Sequence, residues 1–350
     1  MQNEVEYRYL DETDINTAQY KSFYETFHGV GSFTKFKPKI CWYYKSGAYK
    51  VLTALVDGNY AGQSTSYMAK AFVNGEEKEI WWSIDTFVLD KMRGRSIGKK
   101  LQEKLHNDLP NFSSVSYSRL NGIIKKKCGA KEVLDVRFTY YPISCYFSLL
   151  FELAFNRIVK SNISFPKIRL PYFYFRLNSF FFKLKGFQVK EIPNESFAEN
   201  VSDFMEECLK DENFHIVRSI HFLKWKYIDN PMISFRALSV FKNDERIGII
   251  ILSDVYKGRY IVTKARLLKV LDCVVKPEYS RIQTKLFHKA IAYCRKKWEL
   301  VPDGVLSAQR MSFSPSLNYP KVTHMLSTLK VKKIESGYIS YIDQDMERMY

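Results

Sequence analysis

Residues Trp81 to Leu105 read WWSIDTFVLDKMRGRSIGKKLQEKL, an apolar strand that runs through a basic glycine-containing loop into an amphipathic helix. The run from Trp81 to Leu89 is rich in aromatic and β-branched residues and predicts a strand. Ile97, Leu101 and Leu105 recur at a spacing of four and predict one buried helix face. Between them stands Arg93-Gly94-Arg95-Ser96-Ile97-Gly98-Lys99. The first amides of a helix have no intrahelical acceptor and carry the positive end of its dipole, so a pyrophosphate can sit against them. Glycine lets a ligand approach the backbone where a side chain would block it.

Working outward, Tyr49 to Asp57 and Gly62 to Asn74 predict two strands, with turns at Asp57-Gly58-Asn59 and Asn74-Gly75. An antiparallel meander therefore feeds the strand at Trp81. After the helix, Ser113 to Ser118 is β-like, Leu120 to Cys128 predicts a short helix closed by Gly129, and Glu132-Val133-Leu134 begins another strand.

The loop and its setting resemble the acetyl-CoA-binding segment of the GNAT acyltransferase superfamily, whose pattern is Arg/Gln-x-x-Gly-x-Gly/Ala between a strand and a helix. Arg93, Gly94, Ile97, Gly98 and the pair Lys99-Lys100 match it, while Ser96 stands where the family has its first motif glycine. A serine there can adopt helical φ/ψ and offer a hydroxyl to phosphate. The resemblance covers roughly residues 5 to 140. It implies an α/β (α+β) fold, a mixed and mostly antiparallel sheet flanked by helices, and acetyl-CoA or another short acyl-CoA as co-substrate.

It also implies roles. Backbone groups of Phe87, Val88 and Leu89 would pair with the pantetheine arm, and Arg93, Arg95 and Lys99 would neutralise the phosphates. An amine attacks the thioester directly, so a carboxylate near the strand serves as base; Asp85 is the candidate, its alternative being a hydrogen-bonded structural aspartate. Ile84 and Asp85 are neighbours, so only one faces the cleft unless a bulge intervenes. Tyr117, Lys125 and Cys128 are the candidate proton donors to the leaving thiolate, Lys125 standing where the family often has a tyrosine.

The second half repeats the theme. Leu268 to Val275 is an apolar strand carrying Asp272, three residues before Val275, as Asp85 precedes Val88. Lys285-Leu286 and Lys289 echo Lys100-Leu101 and Lys104, yet the joining loop, residues 276–283, has no glycine. Two GNAT-like domains are expected, 1–140 binding acyl-CoA and 191–350 degenerate; the alternative for the latter is an unrelated α+β domain. Between them, 141–190 is an aromatic and basic arm. Its apolar runs are too short to span a bilayer. It either packs between the halves, the favoured reading, or lies on an anionic membrane surface through residues 140–187.

The 350 residues are 46% hydrophobic and 26% charged, which excludes a disordered or fibrous chain. Six cysteines (Cys41, Cys128, Cys145, Cys208, Cys273, Cys294) and six histidines show no metal spacing, so neither a metal nor a disulfide framework is expected. The polar start MQNEVEYRYLDETD resembles no targeting signal, and a cytoplasmic location is the expectation. A net charge of +17 asks for an acidic partner. Nucleic acid is disfavoured, because no helix-turn-helix, zinc finger or RNA-stacking motif accompanies the charge.

The acceptor is expected to be an amine-bearing small molecule. His221 to Pro231 (HFLKWKYIDNP) loosely resembles an element of two-domain bacterial GNAT proteins of surface-polysaccharide synthesis, which suggests an amino sugar; helix packing alone also explains Phe222, Trp225 and Tyr227. The alternatives are a Fem-like aminoacyl transferase and a non-catalytic acyl-CoA-binding or membrane-associated scaffold.

Overall fold

A computed structural model describes residues 4–115, 117–142, 158–159, 186–253, 256–258, 265–282, 292–293, 304–307 and 317–327, with single positions between and beyond them. The expected connecting arm lies almost wholly outside the described residues. The first half runs β1 (Val5–Leu10), α1 (Glu12–Ile15), α2 (Ala18–His28), α3 (Ser32–Lys45), β2 (Tyr49–Val56), β3 (Asn59–Val73), β4 (Glu76–Val88), α4 (Ile97–Asp108), β5 (Phe112–Ser114), α5 (Arg119–Lys127) and β6 (Lys131–Pro142). The meander turns where the sequence predicts, with Asp57 (φ 49°) and Asn74 (φ 52°) left-handed at the hairpin tips. Strand β5 stops at Ser114, short of the expected run to Ser118, because Ser118 is the N-cap of α5 and accepts from the Asn121 amide.

Alternation along β2 divides two cores. Val51 and Leu55 face the cluster formed with Tyr20, Phe23 and Phe33 of α2 and α3. Leu52, Ala54 and Val56 face Ile97, Leu101 and Leu105 of α4 on the other side. The fully buried Gln102 fixes the rotation of α4, its Nε2 donating to Ser64 Oγ (2.9 Å) on β3 and to Thr86 Oγ1 (3.2 Å) on β4.

The second half runs β7 (Phe187–Ile192), α6 (Phe197–Leu209), β8 (Phe214–Ile216), α7 (Ile220–Leu223), β9 (Phe235–Lys242), β10 (Glu245–Ser253), β11 (Tyr256–Gly258), β12 (Ala265–Val275), β13 (Gly304–Ser307) and β14 (Leu317–Ser327). One hydrogen-bonded path, β1-β2-β3-β4-β5-β14-β6-β13-β12-β10-β9-β7, joins both halves. It is a pseudo-palindrome about β14 and β6: each half contributes four antiparallel strands, then a parallel pair, β4 with β5 and β12 with β13. The halves exchange their last strands. β14 lies between β5 and β6, while β6 bonds both β14 and β13, so the expected boundary at residue 140 falls inside β6.

The pseudo-symmetry extends to a bulge. On β3, Thr65 pairs with Asp85 and Ser66 with Ser83, leaving Ile84 as the extra residue of β4. On β10, Ile251 pairs with Asp272 and Leu252 with Val270, leaving Leu271 extra on β12. In both halves the parallel pairing ends two residues before the bulge, at Trp82 with Ser113 and at Lys269 with Leu306. The repeat read from the sequence is thus a repeat of fold.

The halves are pinned together by aromatic packing. Trp42 of α3 stacks on Trp225 (4.8 Å, 20°) and donates from Nε1 to the Trp225 carbonyl at 3.1 Å. The buried Lys226 ammonium sits 4.2 Å from the Tyr67 ring centroid and 4.9 Å from that of Trp225, a desolvated cation–π contact. Phe222 and Tyr227 are buried as well, so the large apolar residues the sequence singles out in His221 to Pro231 serve packing.

Candidate functional site

Beyond Trp82 and Ser113 the strands β4 and β5 diverge, since β5 ends while β4 continues to Val88. A cleft of about 540 Å³ opens there. Phe27 at the end of α2 lines it from one face of the sheet, and Ile97, Leu120 and Ile124 from α4 and α5 line it from the other. It therefore passes through the sheet at the splay.

The bulge and the register decide which backbone groups face this opening. The Leu89 amide donates to the Ala61 carbonyl at 2.9 Å. In an antiparallel ladder alternate residues bond the partner strand, so Phe87 and Asp85 also bond inward to β3, while Thr86 and Val88 turn their N–H and C=O groups to the cleft. Of the three residues expected to present backbone to a pantetheine arm, Val88 is the one whose N–H and C=O this register turns away from β3. Phe87 contributes its ring instead, and Leu89 is committed to β3.

The loop after β4 gathers the other expected residues. Arg93, Gly94, Ser96, Ile97, Gly98 and Lys99 all line the cleft, and Arg95 is exposed beside them. Arg93 pairs with Asp90 (2.7 Å) and Lys99 with Glu103 (3.3 Å), both at the surface. The helix begins at the bond from the Lys100 amide to the Ser96 carbonyl, and Ser96 makes no side-chain cap. The amides of Ile97, Gly98 and Lys99 thus stand at an uncapped N-terminus.

Ser96 is left-handed, with φ 60° and ψ 11°, rather than in the right-handed helical conformation expected of it. That conformation explains why a glycine suits the position. Relief of roughly 1–2 kcal/mol of αL strain, set against roughly 0.4–1 kcal/mol that glycine costs through the unfolded chain, leaves a gain of between zero and roughly 1.6 kcal/mol for Ser96→Gly. A thermal melt is expected to move up by about 1–2 °C; a lower Tm would mean that the serine side chain itself stabilises the loop.

Asp85 lies on the α2 side of the bulge. Its Oδ2 is 3.8 Å from Nε2 of His28, the last residue of α2. The His28 ring is 4.4 Å from Tyr24 and 5.0 Å from Phe87. Asp85 and His28 stand just behind the Phe27 and Phe87 rings that line the cleft. The sequence does signal the histidine, as a helix-terminal residue before Gly29, but nothing local pairs it with Asp85.

The expected proton donors sit elsewhere. The Tyr117 ring packs against α5, so close to Gly122 that a Cβ there would meet it at 2.5 Å. Burial, then the charge of Glu132, pushes its hydroxyl up to about 12. Lys125 is 2% exposed, under α5 against the Phe112 ring, and burial drives its ammonium down to about 7. Burial and then the Lys125 charge push His106 down to about 4. Cys128 caps the end of α5 remote from the cleft-lining first turn, its thiol pushed up mainly by burial. Neither Tyr117, Lys125 nor Cys128 lines the cleft. The residues that do, and that the sequence did not single out, are Phe27, Thr86, Met92, Ser118, Leu120, Asn121 and Ile124.

The corresponding position of the second half is closed. Asp272 is fully buried, holding Arg218 Nε at 3.0 Å and the Tyr227 hydroxyl at 3.2 Å, with the Tyr338 hydroxyl on its other oxygen. Burial, and after it Asp272, keeps that Tyr338 hydroxyl protonated far above the usual range. A 3₁₀ helix at Pro277–Ile282 stands where the first half has its glycine loop.

No protein-family model matches the sequence, and no curated protein does. Solved structures do match in fold. A probable N-acyltransferase from Enterococcus faecalis superposes with TM-score 0.57 at 8% identity, over 93% of this chain and 72% of that one. A GCN5-related N-acetyltransferase from Anabaena variabilis gives 0.54 at 13%, over 93% and 72%. A tandem GNAT protein from the clavulanic acid biosynthesis pathway gives 0.53 at 11%, over 93% and 98%.

Proposed function

We propose that this chain, which has the tandem GNAT fold, transfers an acyl group from acyl-CoA to an amine, using one site per chain in its first half. The observation that carries the reading is the continuity of a single cleft, from the bulged, unpaired edge of β4 to the uncapped N-terminus of α4. Amides of Ile97, Gly98 and Lys99, with Arg93, Arg95 and Lys99 side chains, suit a pyrophosphate. Backbone groups of Thr86 and Val88 suit the amides of a pantetheine arm. The thioester carbon then lies toward the bulge, where a neutral amine adds to it and the CoA thiolate leaves. The Asp85–His28 pair is placed to take the amine's proton, the neutral imidazole or the carboxylate accepting it and Asp85 stabilising the imidazolium that would form. Positioning of both reactants supplies much of the remaining barrier reduction.

Gly98 gives the test. A Cβ there would lie 3.5 Å from Val88 Cγ2, an ordinary contact, so the fold tolerates a side chain while the cleft does not. Gly98→Leu is expected to weaken CoA binding more than tenfold by calorimetry, with the thermal melt nearly unchanged; equal affinity would remove the assignment. A free-thiol assay against a panel of amines then separates catalysis from a scaffold that only binds. Stabilisation by aminoacyl-RNA and not by acyl-CoA would favour a Fem-like transferase.

A further inference from the structure

We propose that the acyl group is larger than acetyl, an extended apolar chain seated on the exposed face of Phe27. This rests on the acyl-transfer reading of the same cleft. One face of the Phe27 ring is stacked on Phe87, with centroids 4.0 Å apart and planes 14° from parallel. The ring remains 38% exposed and lines the cleft. Leu120, 69% exposed, lines it from α5 on the opposite face of the sheet. Ile123, one turn along α5 (45% exposed), and Val30, three residues after Phe27 (99% exposed), are exposed on the same two segments. Half of the eight large exposed hydrophobics among the described residues thus belong to the two segments flanking the splay, where scattered single residues would be ordinary.

Charge is partitioned along the same cleft. Its charged lining residues, Arg93 and Lys99, both stand at the α4 end, while the splay end presents Phe27, Phe87 and Leu120. An anionic nucleotide head at one end and an apolar tail at the other match that division. An acetyl methyl would cover little of Phe27 and leave Leu120 wet, whereas each buried methylene of a longer chain removes apolar surface from water.

Calorimetry with CoA and with acetyl-, butanoyl-, hexanoyl- and octanoyl-CoA tests this without knowledge of the acceptor. Affinity is expected to rise with chain length by up to about fourfold per methylene. Phe27→Ala is expected to shrink that increment, and Phe27→Leu, which keeps an apolar side chain, to retain most of it. Affinities that stay flat or fall from acetyl to hexanoyl would overturn the inference, as would an undiminished increment in Phe27→Ala. Failure of CoA itself to bind would instead remove the acyl-transfer reading, and this inference with it.

Discussion

Deleting residues 317–350 is expected to abolish cooperative folding of the first half as well as the second. Strand β14 fills the gap between β5 and β6, with Leu326 and Ser327 paired to Ser114 and Ser113 on one side and to Glu132 and Lys131 on the other. Met325 and Ser327 are fully buried, and the Ser327 hydroxyl bonds that of Ser113 at 2.7 Å. Past the strand, the Ile334 amide donates to the Val133 carbonyl and the Tyr338 amide to that of Phe214. Without this segment two sheet edges beside the cleft lose their partners, a template for aggregation. The loss exceeds what a typical stability of about 5–15 kcal/mol can absorb. Far-UV circular dichroism with thermal melting, alongside sedimentation velocity, is the measurement. A monomeric 1–316 fragment with a cooperative melt and intact CoA affinity would show that β5 and β6 can close the site alone.

That dependence was not legible in the sequence, and the reason is range. The helix at Ile97–Leu105, the hairpin tips at Asp57 and Asn74 and the loop at Arg93–Lys99 are local patterns, in which neighbouring residues carry the whole signal. The exchange of β14 for β6 is a matter of which distant strand fills an open edge, and strand propensity says nothing about partners. The bulge at Ile84 is likewise invisible in a run that alternates plausibly without it, yet it sets the local twist beside Asp85. Ser96 shows the opposite failure. The residue type at this position departs visibly from the motif, but the left-handed backbone is dictated by the turn into α4 and not by serine's own preference. Lys125 illustrates a third limit: alignment with a family position does not say whether a side chain faces the cleft or the core, and here its ammonium faces Phe112.

Substituting the two bulge aspartates is expected to separate stability from chemistry. Asp272→Asn takes from the fully buried Arg218 guanidinium the carboxylate bonded to its Nε, since the asparagine amide keeps the shape but not the anion. Breaking a buried pair in this way costs roughly 3–5 kcal/mol. Arg218→Met combined with Asp272→Leu removes both charges, so the double variant is expected to lose less than the single one. Asp85 faces a histidine at 3.8 Å, and its side chain is 15% exposed. A histidine can shed its charge where an arginine cannot, so Asp85→Asn is expected to cost less than Asp272→Asn. Its effect should fall on turnover, roughly 10²–10⁴-fold with whichever amine the panel identifies, as for loss of a general base. Urea titration of the three variants, with the thiol-release assay on Asp85→Asn, distinguishes the outcomes. An Asp272→Asn protein within about 1 kcal/mol of the wild type would show that Arg218 is solvated in a way its burial does not suggest. Equal turnover in Asp85→Asn would move the base away from β4. The same strand position, with the same bulge and the same residue type, then serves two ends, because one half surrounds it with Arg218, Tyr227 and Tyr338 while the other leaves it between His28 and the opening of the sheet.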